Sequence, residues 1–419
     1  MKYIVIGASA AGLACAEEIR KTDKDGSIKV FTNEEYLPYS RPSISYYLKG
    51  VVKESNIYLR KPSDYASRNI EIITGSCVNS IDREKKEIKV GRKTFDYDKL
   101  CIATGSYPFI PEMGNVRSKE NALTFLDLAA VKKVKAKAGK NTRAVVIGAG
   151  LIGMKAAEGL SKICKSVEVV ELAPRILPSI LDEKASEFVK KYIEEKGNII
   201  FHLGNTVVKT KSKGKRVSSV ILKNGEELDC DLLILAVGVR PDVKLAEKAG
   251  LEVNRGIVTN PETMQTSDKD IYAAGDCALS TDIDKSKKII ALWVNAVKQG
   301  KTAGSQMAGG NEKGGITYAI NAIDFYGLRI ATAGLINAEG SQYKDMVKSD
   351  KGSYKRLIFE GNHLVGFVLI NSSENAGIYT SMIENKDDIS RMGKMIDETA
   401  SLFLFDKKTR EKRLKGEVG

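Results

Sequence analysis

The 419 residues carry a formal net charge of +13, and 42% of them are hydrophobic, enough for two or three domains at about 150 residues each. No stretch approaches the roughly 20 apolar residues of a membrane span, so no membrane association is expected. The basic residues are scattered instead of gathered into an arm with interleaved aromatics, so nucleic acid is not expected as a partner; the charge fits either a lysine-rich solvated surface or steering toward an acidic protein.

The N-terminus enters a strand at once, Tyr3–Ile6, with no signal-peptide pattern, and a cytoplasmic location is expected. Gly7-Ala-Ser9-Ala10-Ala11-Gly12 is then a turn, Leu13–Lys21 a helix and Ile28–Phe31 a second strand. This is the strand, glycine turn and helix of a dinucleotide-binding unit, with Ser9 in place of the middle glycine. The acid that accepts ribose hydroxyls is displaced: Thr32 comes first and Glu34 two later, with Glu35 in reserve.

Residues 143–171 repeat the pattern in full. Ala144–Ile147 reads as a buried strand, Met154–Lys165 as a helix and Val167–Val170 as a strand ending in Glu171. Gly148 makes the tight turn, Gly150 lets the backbone approach a pyrophosphate, and Gly153 lets helix and strand pack closely. The helix start, at Leu151 and Ile152, offers N–H groups to phosphate. Glu171 accepts ribose hydroxyls and repels a 2′-phosphate, which favours NADH over NADPH. Arg175 either touches the NAD phosphate or caps its segment.

The two units extend as parallel copies. Asn69–Gly75 matches Asn198–Gly204, and Asp98 and Asp231 each precede an apolar strand that ends at Gly105 and Gly238. Between these markers, Ile81–Val90 and Val207–Lys223 read as small antiparallel sheets. A lysine-rich helical stretch lies within Ser118–Asn141. Ile289–Gly304 starts a helix, and Gly309–Gly315 is a linker. Beyond it come short strands at Ile316–Ile320, Ile323–Phe325 and Arg329–Gly334, then a hairpin, Tyr354–Phe359 with Leu364–Ile370. Met382–Leu404 reads as one or two short helices, and Asp406–Lys415 as a basic, frayed tail more than a docking site.

The six cysteines show no Cys-x-x-Cys or zinc spacing and are expected to be buried small hydrophobes; no metal site is expected. His202, in a strand, and His363, beside a hairpin turn, are expected to be structural.

With Ala103-Thr104-Gly105, Ala236-Val237-Gly238-Val-Arg-Pro241 and Ile271-Tyr-Ala-Ala-Gly275-Asp276, the chain resembles the pyridine-nucleotide flavoprotein reductases up to about residue 370. The resemblance implies an α/β fold with two nested Rossmann-like domains, arranged as in glutathione reductase, and a small α+β C-terminal domain. It divides the chain into an FAD-binding domain (1–110 and 230–310), an NAD-binding domain (111–229) and a C-terminal interface domain (311–419). It implies FAD on the first unit, with Val78 and Asp276 at the cofactor, Arg41 and Pro42 leading into the helix beside the flavin ring, and Arg41 on phosphate. It also implies a helix start at the flavin pyrimidine, with Trp293 and Asn295 as candidates; Trp293 alternatively belongs to the core.

Residues 33–66 hold no cysteine, so the redox disulfide of the family's disulfide reductases is missing, as is the C-terminal His-Pro base. Chemistry is then hydride in and electrons out, carried by the flavin. Related reductases pair a Lys and a Glu near flavin N5, where this chain has Tyr46 and Lys155. Lys155 is therefore expected either to approach the flavin as the catalytic cation or to be a solvated helix residue. The segment Asn321–Gly334 resembles the flavin module of nitrite reductase and the rubredoxin reductases. The acceptor this implies is an acidic iron–sulfur carrier, rubredoxin first and ferredoxin next. The alternatives are an NADH oxidase reducing oxygen and a flavoprotein subunit of a larger electron-transfer complex. A homodimer or hetero-complex assembly is expected.

Overall fold

The computed structural model describes residues 1–390, 405 and 407–414. These fold into two compact units. One comprises Met1–Glu112, Leu123–Ala138 and Leu235–Thr317; the other comprises Met113–Ala122, Gly139–Ile234 and the chain from Tyr318 onward.

The first unit is built on a five-stranded sheet in the order Ile271–Ala273, Lys99–Ile102, Lys2–Ile6, Ser27–Phe31, Ile70–Ile73. All its pairings are parallel. Its central strands are near-continuous apolar runs because both faces are covered: Tyr3 through Ile6 are each at most 5% exposed. Helix Ala10–Thr22 starts inside the glycine motif, right after Ser9, three residues before the pattern suggested. Helix Trp293–Met307 lies against it at backbone contact. A Cβ on Gly300 would sit 2.2 Å from Ala11 O, and one on Gly304 2.3 Å from Cys15 O, so only glycine at i and i+4 permits this crossing. Strands Val78–Asp82, Glu87–Val90 and Lys93–Asp96 form the expected small antiparallel sheet.

In the second unit the order is Ile199–Leu203, Ser166–Glu171, Arg143–Ile147, Leu232–Leu235, Ala122–Thr124. Read in the opposite direction, four strands correspond to those of the first sheet: Leu232–Leu235 to Lys99–Ile102, Arg143–Ile147 to Lys2–Ile6, Ser166–Glu171 to Ser27–Phe31, and Ile199–Leu203 to Ile70–Ile73. Helix Leu151–Ser161 again begins inside the glycine motif, right after Gly150. Val207–Lys213, Arg216–Leu222 and Glu227–Asp229 are the second small antiparallel sheet. Asn121, fully buried, binds it to the chain: its side chain donates to Val217 O and Asp231 O and accepts from Val217 N at 2.8–2.9 Å.

The same unit carries a five-stranded antiparallel sheet, Ile320–Phe325, Leu328–Gly334, His363–Ile370, Tyr354–Glu360, Tyr343–Ser349. Helix Ala376–Asn385 packs on it through Tyr379, whose ring centroid is 5.7 Å from that of Phe367. Three readings are corrected here. Residues 316–319 are not strand; Thr317 N–H instead bonds Thr281 O. Tyr343–Ser349 is an edge strand that its charged, mostly exposed sequence concealed. Lys407–Leu414 is a helix, not a frayed end, in keeping with its run of helix-favouring Lys, Arg, Glu and Leu. The expected helical stretch begins earlier, at Ala376, in a helix that ends at Asn385; the part of that reading over 391–404 lies outside the described residues.

Five of the six cysteines are buried and Cys77 is exposed. Among the described residues, no helix is long and apolar enough to cross a membrane, and no cluster of three or more His, Cys, Asp or Glu could hold a metal ion.

Candidate functional site

In the first unit, Gly7 has φ +112°, and a Cβ there would meet Ala103 O at 2.0 Å; a Cβ on Gly12 would meet Gly7 O at 1.8 Å. The turn is therefore pressed onto its own sheet, and helix Ala10–Thr22 opens at the sheet's carboxyl edge. Ser9 is its N-cap but makes no side-chain cap bond. Instead Ser9 Oγ accepts from Arg41 Nε at 3.1 Å. Arg41 also donates to Leu126 O at 3.0 Å and pairs with Glu34. A helix dipole and a held guanidinium thus converge beside Ser9, Ala10 and Ala11, the electrostatics a pyrophosphate needs.

Both oxygens of Glu34 are engaged, one by Arg41 and the other by Tyr39 OH at 2.6 Å. Each keeps lone pairs for a ribose hydroxyl. Tyr39 accepts from Leu128 N at 3.0 Å, and its burial pushes the phenol well up. Tyr39 is one of the residues the sequence reading missed; its place five residues beyond Glu34 was the available signal. Pro42 lies in the short helical segment Arg41–Ser43, which leads into helix Ile44–Leu48. Val78 opens its strand and is buried.

Asp276 follows strand Ile271–Ala273. Burial pushes its carboxyl above the ordinary carboxylate range, opposed by the Ser106 hydroxyl bond at 2.9 Å and by the charge of Arg41. A carboxylate so desolvated calls for further hydroxyl or N–H donors, which the ribityl and pyrophosphate region of a flavin dinucleotide supplies. Thr104 Oγ1 donates to Asp242 O at 2.6 Å, fixing the Ala103–Gly105 turn. Gly275 N–H donates to Gln299 Oε1 at 2.8 Å, tying that turn to helix Trp293–Met307. Trp293 opens this helix and packs partly against the core; Asn295 is 3% exposed. Val237 and Gly238 also lie in this unit, where Gly238 O accepts from Phe109 N at 3.0 Å.

In the second unit Gly148 has φ +103°, and its N–H bonds Val170 O at 2.8 Å. Gly150 is the N-cap of helix Leu151–Ser161, with no side-chain cap. A Cβ added there would meet nothing within 4 Å, so its smallness serves an approaching group and not the fold. Ile152 follows in the first turn, and Gly153 is buried under it. Glu171 accepts from Ala149 N at 2.6 Å on one oxygen and Ala173 N at 2.8 Å on the other. The carboxylate is thereby fixed against the glycine turn with lone pairs left for ribose. Arg175 donates to Asn337 Oδ1 at 3.3 Å, and its Nε is buried without a partner.

Lys155, one turn along the same helix, donates to Glu158 Oε2 and to Asp324 O, both at 2.8 Å. Its ammonium lies 5.0 Å from the Phe325 ring centroid. Glu158 Oε1 accepts from Tyr326 N at 3.1 Å, and Ser161 Oγ lies 2.6 Å from Tyr326 OH. Residues 155, 158 and 161 thus share one helix face clasped by the hairpin tip at 324–327. His202 lies between Glu168, at 2.8 Å, and Glu226, at 3.3 Å, in its strand, a structural setting.

Two protein-family models match the chain. Pyridine nucleotide-disulphide oxidoreductase covers residues 1–300, and the rubredoxin NAD+ reductase C-terminal domain covers residues 320–387. An NADH oxidase of Methanocaldococcus jannaschii is 38% identical over 74% of this chain and 70% of its own length. A nitrite reductase [NAD(P)H] of Bacillus subtilis is 31% identical over 94% of this chain but only 48% of its own length; the chain spans about half of that relative. The solved covalent putidaredoxin reductase–putidaredoxin complex matches with a TM-score of 0.86 at 24% identity, over 99% of this chain and 98% of that one, a likeness of fold.

Proposed function

The chain belongs to the pyridine nucleotide-disulphide oxidoreductase family, and we propose that it takes hydride from NADH and passes electrons singly to a small iron–sulfur protein, rubredoxin first and ferredoxin next. It is an FAD- and NADH-dependent oxidoreductase. One NADH yields NAD+, a proton and two electrons, which reduce two one-electron carriers.

FAD, when bound, supplies the two-electron acceptance and one-electron release that no side chain can. Gly7, Gly12 and the first turn of helix Ala10–Thr22 hold its pyrophosphate, with Arg41 neutralising charge. Glu34 and Asp276 would orient its hydroxyls, and the start of helix Trp293–Met307 would offer a positive dipole end to the flavin. Gly150 and the following helix start hold the NADH pyrophosphate, and Glu171 its ribose. Lys155 is assigned the positive charge on the nicotinamide side.

The observation that carries the reading is the match of residues 320–387 to the rubredoxin reductase C-terminal domain, on a chain whose residues 33–66 hold no cysteine. Without a thiol there, that segment offers no covalent partner to a disulfide or peroxide substrate. The proposed location is cytoplasmic, and the proposed assembly a homodimer or hetero-complex subunit.

NADH consumption by the FAD-loaded protein in air, with and without rubredoxin, tests this. A slow rate that jumps on adding rubredoxin is expected. A second reading, an NADH oxidase, has the 38% identity to such an enzyme in its favour; a fast rate in air that rubredoxin leaves unchanged would establish it instead. Prompt bleaching of the flavin by NADH, with slow turnover on both acceptors, would mark a subunit that needs a companion chain.

A further inference from the structure

We propose that a surface of the first unit, formed by Tyr47, Val51, Lys53, Lys133 and Lys135, is the docking site for the acidic one-electron carrier. The inference rests on the electron-transfer reading above and locates the carrier on that flavin unit.

The segments 44–53 and 128–138 contain six lysines and no acidic residue. They are locked together. Helix Leu128–Lys137 is started by Asp127, whose carboxylate accepts from Ala130 N at 2.7 Å. Its Lys132 pairs with Glu54 at 2.6 Å and lies 4.6 Å from the Tyr36 ring centroid. Its Lys135 donates to Tyr47 O at 3.2 Å and sits 4.1 Å over the Tyr47 ring. The chain between these anchors turns tightly, with Val51 N–H on Tyr46 O at 3.0 Å.

Two physical consequences follow. A lysine steadied by a ring and a carbonyl loses side-chain freedom yet keeps its outward charge, whereas one held by a carboxylate loses its field. Ordering it beforehand also lowers the entropy cost of docking. On these joined segments Val51 is 66% exposed, and Lys53, Lys133 and Lys135 are exposed as well. An apolar centre with a cationic rim is the anatomy of a transient protein interface, and its complement is an acidic face with a small apolar patch.

The hairpin over Val207–Lys213 is also cationic and exposes Val208. It is the weaker claimant, because Lys211 is neutralised by Glu227 at 2.6 Å and the hairpin belongs to the unit holding the NADH residues. The segment 44–53, by contrast, continues directly from Arg41 and Pro42.

The test compares FAD-loaded wild type with K133E/K135E, using NADH as donor and either rubredoxin or the neutral quinone menadione as acceptor. The double variant is expected to lose about tenfold or more in kcat/KM for rubredoxin while menadione reduction stays within about twofold. Raising salt should slow the wild type on rubredoxin and flatten toward the variant's rate. A second variant, V51E, should lose rubredoxin turnover in the same way without touching a lysine. If wild type reduces rubredoxin and both variants match it within about twofold, this surface is not the docking site. If wild type reduces menadione but neither rubredoxin nor ferredoxin, the carrier reading falls, and this surface's occupant with it.

Discussion

Asp231 accepts two hydrogen bonds from Arg143 on one oxygen, from the backbone N–H at 3.0 Å and from Nε at 2.8 Å, and a third, from Nη2, on the other at 3.0 Å. Asp98 makes the backbone half of this arrangement with Lys2 N, at 2.7 Å, in the other unit. Each acid therefore clips the returning strand to the first residue of the central strand. Arg143 holds the Asp231 carboxyl below the ordinary carboxylate range, against a smaller effect of burial.

That depression sets a sign. The pair's stabilisation is fully present above the unfolded carboxyl value near about 3.9 and is lost as pH falls through the lower folded value. D231N should lower stability near neutral pH by about 1 kcal/mol, a figure kept small because both side chains are more than a third exposed. Thermal unfolding across pH measures it. The gap to wild type should close in strong acid; a gap that persists there would assign the loss to packing.

Gly12 and Gly150 occupy different places in the two glycine motifs and should fail differently. An Ala at 12 would drive Cβ to 1.8 Å from Gly7 O, whereas an Ala at 150 meets nothing within 4 Å. G12A should lose both FAD and several degrees of melting temperature. G150A should melt within about 0.5 kcal/mol of wild type, yet raise KM for NADH by about tenfold. Circular dichroism melting and initial-rate kinetics separate the two; a G150A variant with unchanged KM would mean that no phosphate approaches Gly150.

The two nested units were legible because glycines, apolar runs and the paired acids Asp98 and Asp231 are local signals that repeat. The helix-to-helix contact was half legible: Gly300 and Gly304 stand four apart, but nothing in the chain says that Ala11 and Cys15 face them. Tyr39 and Ser106 were missed because a hydroxyl's partner is set by the folded neighbourhood and not by spacing. The edge strand Tyr343–Ser349 was missed for a related reason, since an exposed edge needs no apolar alternation. For Lys155, sequence position suggested a direction toward the flavin, while its contacts with Glu158 and Asp324 O depend on a hairpin 169 residues away.

Asp276 is half-buried with its carboxyl pushed above the ordinary range by desolvation, and Ser106 supplies one donor. Donors from the dinucleotide should favour the ionised form, so FAD binding and deprotonation of Asp276 reinforce each other. D276A should weaken FAD binding by about 10- to 100-fold, the cost of losing a hydrogen bond to a charged group. S106A should do less. Flavin fluorescence on titrating the apoprotein reads both; retention of FAD by D276A at wild-type affinity would remove Asp276 from the cofactor site.

Glu171 is held by Ala149 N and Ala173 N, so its charge cannot swing away from the glycine turn. A 2′-phosphate brought to the same ribose would meet that charge at close range. E171Q keeps an acceptor oxygen and removes the repulsion. The preference for NADH over NADPH, measured as the ratio of kcat/KM values, should narrow by about tenfold, chiefly through a lower KM for NADPH. An unchanged ratio would place the selectivity elsewhere.

Lys155 can be separated into its structural and chemical parts. Its side chain is 13% exposed and that of Glu158 only 3%, so K155M strands a carboxylate in the interior. Breaking one side of such a pair costs about 3–5 kcal/mol, while removing both charges costs far less. K155M should therefore melt well below wild type, and K155M/E158Q should recover most of the loss. The double variant then reports on chemistry in a protein that is still folded. If Lys155 supplies charge beside the flavin, stopped-flow bleaching of the flavin by NADH should slow by about tenfold, and the flavin absorbance should shift. If rate and spectrum are both unchanged, its positive charge acts only to bind the helix face at 155, 158 and 161 to the hairpin at Asp324.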